Sequence, residues 1–294
     1  MISIDHAKCT VCGICGTVCP RRILETKEEN GHKQTLVSQQ RKQLCMACGH
    51  CCAVCPNEAI SIQELDLKDF KSVRQGQVSE DNLLIMLEQR RSVRRYKDKP
   101  VPRNILDRII EAARRAPTGS GSPSTGVLVI DKPEHLKTLS ELTHETYREL
   151  EKALANPVAR FIIKRRVGDK TYHMLQDFVM PGMHWYLKWK REGRGDEILR
   201  DCKVLMLFHC PIREPMGATN CALSAFHAIL MAEVLGVGTC FNDLIPPVCN
   251  RSIKIRRLLA VPKEREIHAS LTMGFAKFKF QKVIPKNLAE VRYL

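Results

Sequence analysis

Eight cysteines crowd the first 55 residues and repeat one spacing. Cys9, Cys12, Cys15 and Cys19 precede Pro20, and Cys45, Cys48, Cys51 and Cys55 precede Pro56. Each run reads C-x2-C-x2-C-x3-C-P, a spacing suited to a 4Fe–4S cubane. A cubane needs four thiolates arriving from different directions. Three closely spaced cysteines wrap one loop around three corners. The fourth, ahead of a proline that redirects the chain, reaches the neighbouring cluster. The expected ligand sets are therefore crossed: Cys9, Cys12, Cys15 and Cys55 hold one cluster, and Cys45, Cys48, Cys51 and Cys19 hold the other. One such run alone admits zinc, but two complete runs, each closed by proline, argue against it.

Over residues 1–64 the chain resembles the two-cluster bacterial ferredoxins. It departs from them between the runs. There, residues 23–37 (ILETKEENGHKQTLV) alternate in polarity and turn at Asn30-Gly31, the pattern of a β-hairpin. The ligand count is unaffected.

Beyond residue 64 the chemistry is of another kind. No G-x-G-x-x-G follows a strand, and P-loop, H-E-x-x-H and G-x-S-x-G patterns are missing, so a dinucleotide-binding or hydrolytic site is unsupported. His209 lies inside an apolar run and reads as a core histidine. What remains suits an anionic cofactor. Arg90, Arg91, Ser92, Arg94 and Arg95 crowd one loop, where guanidinium forks and a hydroxyl can meet phosphate oxygens. Pro117-Thr118-Gly119-Ser120 and Gly236-Val237-Gly238-Thr239 are small enough to let backbone approach a planar ring. Lys277, Lys279, Lys282 and Lys286 add cations near the C-terminus.

The order RRSVRRY (90–96), APTGSGS (116–122), LGVGTCF (235–241) and MGFAKFKFQKVIPKN (273–287) makes residues 83–294 resemble the nitroreductase family of FMN flavoproteins. The whole chain resembles a ferredoxin–nitroreductase fusion. By that resemblance Arg90, Ser92 and Arg94 hold the FMN phosphate and ribityl chain. Pro117, Thr118, Gly119 and Ser120 lie against the isoalloxazine. Asn220 contacts the flavin, Gly238 and Thr239 reach its reactive edge, and Lys286, or else Lys282, meets the phosphate. The resemblance also implies a homodimer with FMN at its interface. Two departures stand out. Residues 121–125 read GSPST where the family often has Asn-x-Gln-Pro-Trp, and residues 134–200 are long and basic, which suggests a lid or dimer arm. In that arm His184, Trp185 and Trp189 are candidates for lining a substrate cavity, with ordinary helix packing as the competing reading.

The elements that must position these residues are mixed, so the expected class is α+β. Residues 65–82 read as a polar linker, with Ser79 as helix N-cap. LLIMLE (83–88) starts a helix. Residues 102–116 place Ile105, Ile109, Ala112 and Ala113 on one helical face. VLVID (127–131) and VLMLFHCP (204–211) read as strands, 134–200 as helical, and 220–235 as a helix that GVGTCF stops. Residues 265–280 give a last strand. The domains expected are 1–64, a linker at 65–82, and 83–294.

The totals bound the rest. The chain has 294 residues, 14 of them cysteine, and a formal charge of +15. Two clusters near −2 each and a bound phosphate near −2 cut that excess to roughly +9. The basic residues are scattered, which argues against a nucleic-acid partner; an acidic electron donor or a merely solvated surface explains them. No apolar run is long enough for a membrane span. MISIDHAKC has no apolar leader, so a reduced cytoplasm is expected and the six remaining cysteines (Cys52, Cys202, Cys210, Cys221, Cys240, Cys249) should be buried small residues. The resemblance implies that clusters take electrons from a ferredoxin-like donor, or that NAD(P)H supplies them, and that FMN passes them to a small-molecule acceptor. A nitroaromatic, quinone-like or other electron-poor compound leads. Another flavin reaction such as reductive dehalogenation or ring reduction, and a non-catalytic electron carrier or redox sensor, are the alternatives.

Overall fold

The computed structural model describes residues 2–29, 31–73, 76, 78–121, 123–285 and 290–293. The chain divides into two compact units, Met1–Gln77 with Pro117–Pro123, and Val78–Ala116 with Ser124–Leu294.

The first unit runs β1 (Ile2–Ile4), α1 (Ile14–Val18), β2 (Leu24–Glu29), β3 (His32–Val37), α2 (His50–Val54) and β4 (Ile60–Ile62). β1 pairs antiparallel with β4, and β2 with β3, from Leu24 opposite Val37 to Glu29 opposite His32. The hairpin expected at 23–37 is thus present. Its turn includes Gly31 at φ +75°, while Asn30 lies outside the described residues. The two cysteine runs bend alike. Val11 and Ala47 both take left-handed backbone, Gly13 and Gly49 N-cap the short helices at φ +73° and +78°, and Arg22 and Glu58 both sit at φ +50°. The duplication therefore extends from cysteine spacing to backbone shape. The core is small: Leu24, Ile60 and Ile62 pack with Cys15, Cys51 and Cys52. So small a core leans on bound metal for stability.

The second unit begins with α3 (Glu80–Gln89), where the Ser79 hydroxyl accepts the Asn82 amide at 3.3 Å, as expected of an N-cap. It continues with α4 (Arg103–Arg114), β5 (Gly126–Ile130), α5 (Pro133–Ala155), α6 (Pro157–Val167), α7 (Asp169–Met174), a π-helical turn at Leu175–Val179 and α8 (Met180–Arg191). Then follow β6 (Val204–Pro211), α9 (Gly217–Val234), β7 (Gly238–Phe241), α10 (Ile245–Arg251), α11 (Ile253–Leu259) and β8 (Arg265–Gly274). The sheet order is β5-β6-β8-β7 and every pairing is antiparallel. β6 explains its own unbroken apolar run. Val204, Met206 and Phe208 enter a core shared with α4 and α9, while Leu205 and Leu207 enter the opposite one, shared with α5, α8, α10 and α11. A strand covered on both faces has no polar side to alternate with.

Three readings need correction. GVGTCF does more than stop a helix: Gly238–Phe241 is strand β7, paired with β8 from Gly238 opposite Gly274. Its glycines read as punctuation, yet tertiary pairing decides the strand. The last strand ends at Gly274 rather than at 280, because the Tyr96 ring crosses there; a Cβ on Gly274 would lie 2.9 Å from it. The charged helical stretch ends at Arg191, and residues 192–203 turn back toward the sheet. The six remaining cysteines are buried with free thiols, as expected.

Candidate functional site

The crossed cysteine sets each line a small chamber of the first unit. One is walled by Cys9, Cys12, Cys15 and Cys55, the other by Cys19, Cys45, Cys48 and Cys51. Each run gives three thiols to its own chamber and one to the other. No three or more ligand-type side chains among the described residues converge tightly on one point; the eight thiols surround two spaces instead. The fourth cysteines are further fixed in parallel fashion. The Ile23 amide donates to Cys19 Sγ at 3.4 Å, and the Ala59 amide to Cys55 Sγ at 3.3 Å. Burial pushes the Cys51 thiol up to about 12 and raises Cys15 as well, so loading iron means displacing these protons. Donor set and geometry both fit a pair of thiolate-ligated clusters.

Within the same unit, Gly121 adopts φ +70°, and a Cβ added there would lie 2.7 Å from Cys48 Cβ. Pro117, Thr118 and Gly119 belong to this short stretch, where the Gly121 amide donates to the Thr118 carbonyl at 3.0 Å. The side chain of Ser120 lies outside the described residues.

In the second unit residues 92–96 touch the sheet and the segment after it at two isolated bridges. Ser92 bridges Thr239 on edge strand β7, the Val93 amide donates to the Thr239 carbonyl at 2.8 Å, and Tyr96 bridges Ala276. Gly238 makes this contact possible: a Cβ there would lie 2.7 Å from the Val93 side chain. The Tyr96 hydroxyl contacts the Val93 carbonyl and both oxygens of Thr272, at 2.8–2.9 Å. These contacts bring Ser92 and Val93 against Gly238 and Thr239, with Arg90 and Arg94 two residues from Ser92 on either side in the chain.

The four arginines here differ in their engagements. Both Nη atoms of Arg95 donate to Glu197, and Arg91 is buried. Arg90 caps the C-terminus of α3, and Arg94 Nη1 donates to the Ser92 carbonyl at 3.4 Å. Two guanidinium groups and a hydroxyl within five residues form a donor set that fits a phosphate monoester. Asn220 lies on another element, fully buried on α9. It is next to Cys221, whose Sγ lies 3.5 Å from Cys210 on β6. Lys286 lies outside the described residues, whereas Lys282 is exposed.

His209 follows a bulge in β6 and is half-buried. Arg265 Nε donates to its Nδ1 at 2.6 Å. Burial, then the charge of Arg265, lowers its pKa, so the ring is neutral and packed, as the core reading expected. On α8, His184 Nδ1 meets Glu151 at 2.8 Å and Trp185 is half-exposed near Trp189. Arg91 is the residue the motif reading passed over. Its only sequence signal is its place between the pattern positions.

A dicluster segment precedes an α+β unit whose antiparallel sheet carries a basic segment at its edge; together they define an iron–sulfur redox protein with an anion-binding second unit. The chain belongs to the nitroreductase family: residues 87–275 match that family, and residues 1–56 match the 4Fe-4S dicluster domain. It is 25% identical to an NADH dehydrogenase of Thermus thermophilus over 186 residues, covering 63% of this chain and 82% of that protein. It is 31% identical over 204 residues to a protein of Methanothermobacter thermautotrophicus carrying the name NADH dehydrogenase/NAD(P)H nitroreductase, covering 68% of this chain and 80% of the relative. A Bacteroides fragilis nitroreductase solved with FMN bound superposes with a TM-score of 0.55 at 17% identity, over 74% of this chain and all of that one. That likeness shows the fold.

Proposed function

We propose that the chain is an iron–sulfur flavoprotein oxidoreductase that reduces an electron-poor small molecule of the nitroaromatic or quinone-like kind. The observation that carries the reading is the pair of four-thiol chambers in a chain of the nitroreductase family. The FMN of the Bacteroides structure supports the same cofactor here. When bound, the clusters supply one-electron transfer and FMN supplies two-electron reduction of an acceptor. The chain's residues hold and tune. Eight thiolates would ligate iron, and the Ile23 and Ala59 amides, which donate to Cys19 and Cys55 Sγ, would stabilise added negative charge on those sulfurs. Arg90, Ser92 and Arg94, with Lys286, are assigned to the FMN phosphate and ribityl chain. Pro117, Thr118, Gly119, Ser120, Asn220, Gly238 and Thr239 are assigned to the ring. No side-chain acid or base is called for.

The cluster unit gives single electrons an entry, which favours a ferredoxin-like donor; the names of the relatives support NAD(P)H. The working unit is taken to be a homodimer. The test is anaerobic. Dithionite-reduced holoprotein should be reoxidised by a nitroaromatic or a quinone, and failure with every such acceptor would remove the enzymatic reading. Turnover with a reduced ferredoxin should collapse in Cys9→Ser and Cys45→Ser proteins. NADPH-driven turnover that ignores both substitutions would count against the entry port. Arg90→Ala should release FMN on gel filtration, and unchanged flavin content would defeat that assignment.

A further inference from the structure

Arg91 lies inside the R-x-S-x-R pattern and is the buried arginine of its loop. Arg91, Val93 and Lys97 line a cavity of about 610 Å³, whose wall also includes Glu233, Lys279 and Lys282. Arg90, Ser92 and Arg94 do not line it, whereas Gly236 and Gly238 do, so the wall is shared with a residue assigned above to the flavin ring.

Arg91 is only 9% exposed. Its Nη1 donates to the carbonyls of Glu88 and Arg90, at 2.5 and 2.8 Å. Its Nε and Nη2 are buried with no hydrogen-bond partner among the described residues. Those two nitrogens form one edge of the guanidinium fork, the edge that grips two oxygens of an oxyanion at once. The carbonyl bonds on Nη1 hold that edge in place. A buried charged donor left unmet is costly, so the edge calls for a partner. Glu233 is the nearby candidate within the chain. Burial raises its pKa while Arg90 and Arg91 draw it down. The buried nitrogens of Arg91 nonetheless find no partner there. Three lysines in the same wall add positive charge and no acceptor.

We infer that this cavity is a second oxyanion site, which takes the phosphate or diphosphate group of a small molecule, with Arg91 as bidentate anchor and Lys97, Lys279 and Lys282 around it. The inference rests on the flavin reading only in being second. The group could arrive as a free anion or on a nucleotide, and the chemistry is shared.

The experiment titrates FMN-loaded protein with inorganic pyrophosphate at low ionic strength, following heat. Saturable binding is expected with flavin retained. It should weaken roughly tenfold or more in the Lys97→Ala/Lys279→Ala protein, whose changes are at exposed positions. Arg91→Lys, which keeps the charge and loses the fork, should weaken it comparably. Competition by NADPH but not NADH would identify a nucleotide phosphate as the source; indifference to both would identify the free anion, and either leaves the site standing. Absence of saturable binding would overturn the inference. So would loss of FMN from the Arg91→Lys protein while Arg90→Ala retains it, because Arg91 would then serve the flavin phosphate. Titrating flavin-free chains reads the cavity by itself, so a protein that never binds flavin would sink the flavin reading without touching this one.

Discussion

Cys55 lies in the second cysteine run and lines the chamber of the first, with Cys9, Cys12 and Cys15. Cys55→Ser should therefore remove the cluster whose other ligands are Cys9, Cys12 and Cys15, and Cys51→Ser the other one. Iron analysis with electron paramagnetic resonance of the singly depleted proteins checks this; identical residual spectra from the two variants would refute the crossing. His209 makes a second prediction. Its folded pKa lies below the ordinary value near 6.5, so the unfolded chain binds the proton more readily. The stability this ring contributes is present above about pH 6.5 and declines as pH falls through that value toward the lower folded pKa. Urea midpoints at pH 7.5 and 5.5 should differ less in His209→Gln than in the parent. At this scale the sequence was highly legible for the cysteines, because ligand spacing is a local property. It was poorly legible for Arg91. Nothing in a string of arginines tells which one is turned inward; only pairing of Ser92 with Thr239 decides that.

β7 shows why elements are harder to read than motifs. Half of its approach is glycine, and glycine lowers strand propensity. Yet Gly238 has a partner across the chain, the Val93 side chain, and the missing Cβ is what admits it. Gly238→Ala should cost about 1–3 kcal/mol by overpacking and lower FMN content, and adding Val93→Ala should recover much of both. Thermal melts and flavin absorbance of the single and double variants test this, and absence of recovery would place the strain elsewhere. The stretch after α8 depends on a polar anchor. Buried Asp196 accepts the Ile198 and Leu199 amides at 2.8 Å each, and the Ser140 hydroxyl of α5 donates to it. Asp196→Ala leaves those donors unmet and should destabilise the second unit by roughly 3 kcal/mol, measured by urea unfolding against the parent. The sequence read as helical and charged over 134–200 and did not show this stop. An aspartate between glycine and glutamate looks like any surface residue until the chain returns over α5.

For the molecule as a whole, the prediction is compositional. Purified without oxygen, each chain should carry roughly eight iron and eight sulfide atoms with one FMN; zinc in place of iron, or no yellow chromophore, would end the account. Among the described residues no helix is long and apolar enough to cross a membrane. The fusion itself was legible from order alone, a cysteine duplication followed by four flavin-type segments. The acceptor was not, since residues 134–200 carry no motif that names one.

Lending a thiol across the duplication has a consequence for how the protein is made. With the ligands shared in this way, neither half would close a metal cage before the other has folded beside it. Chains cut between the two cysteine runs should therefore hold no cluster in either piece.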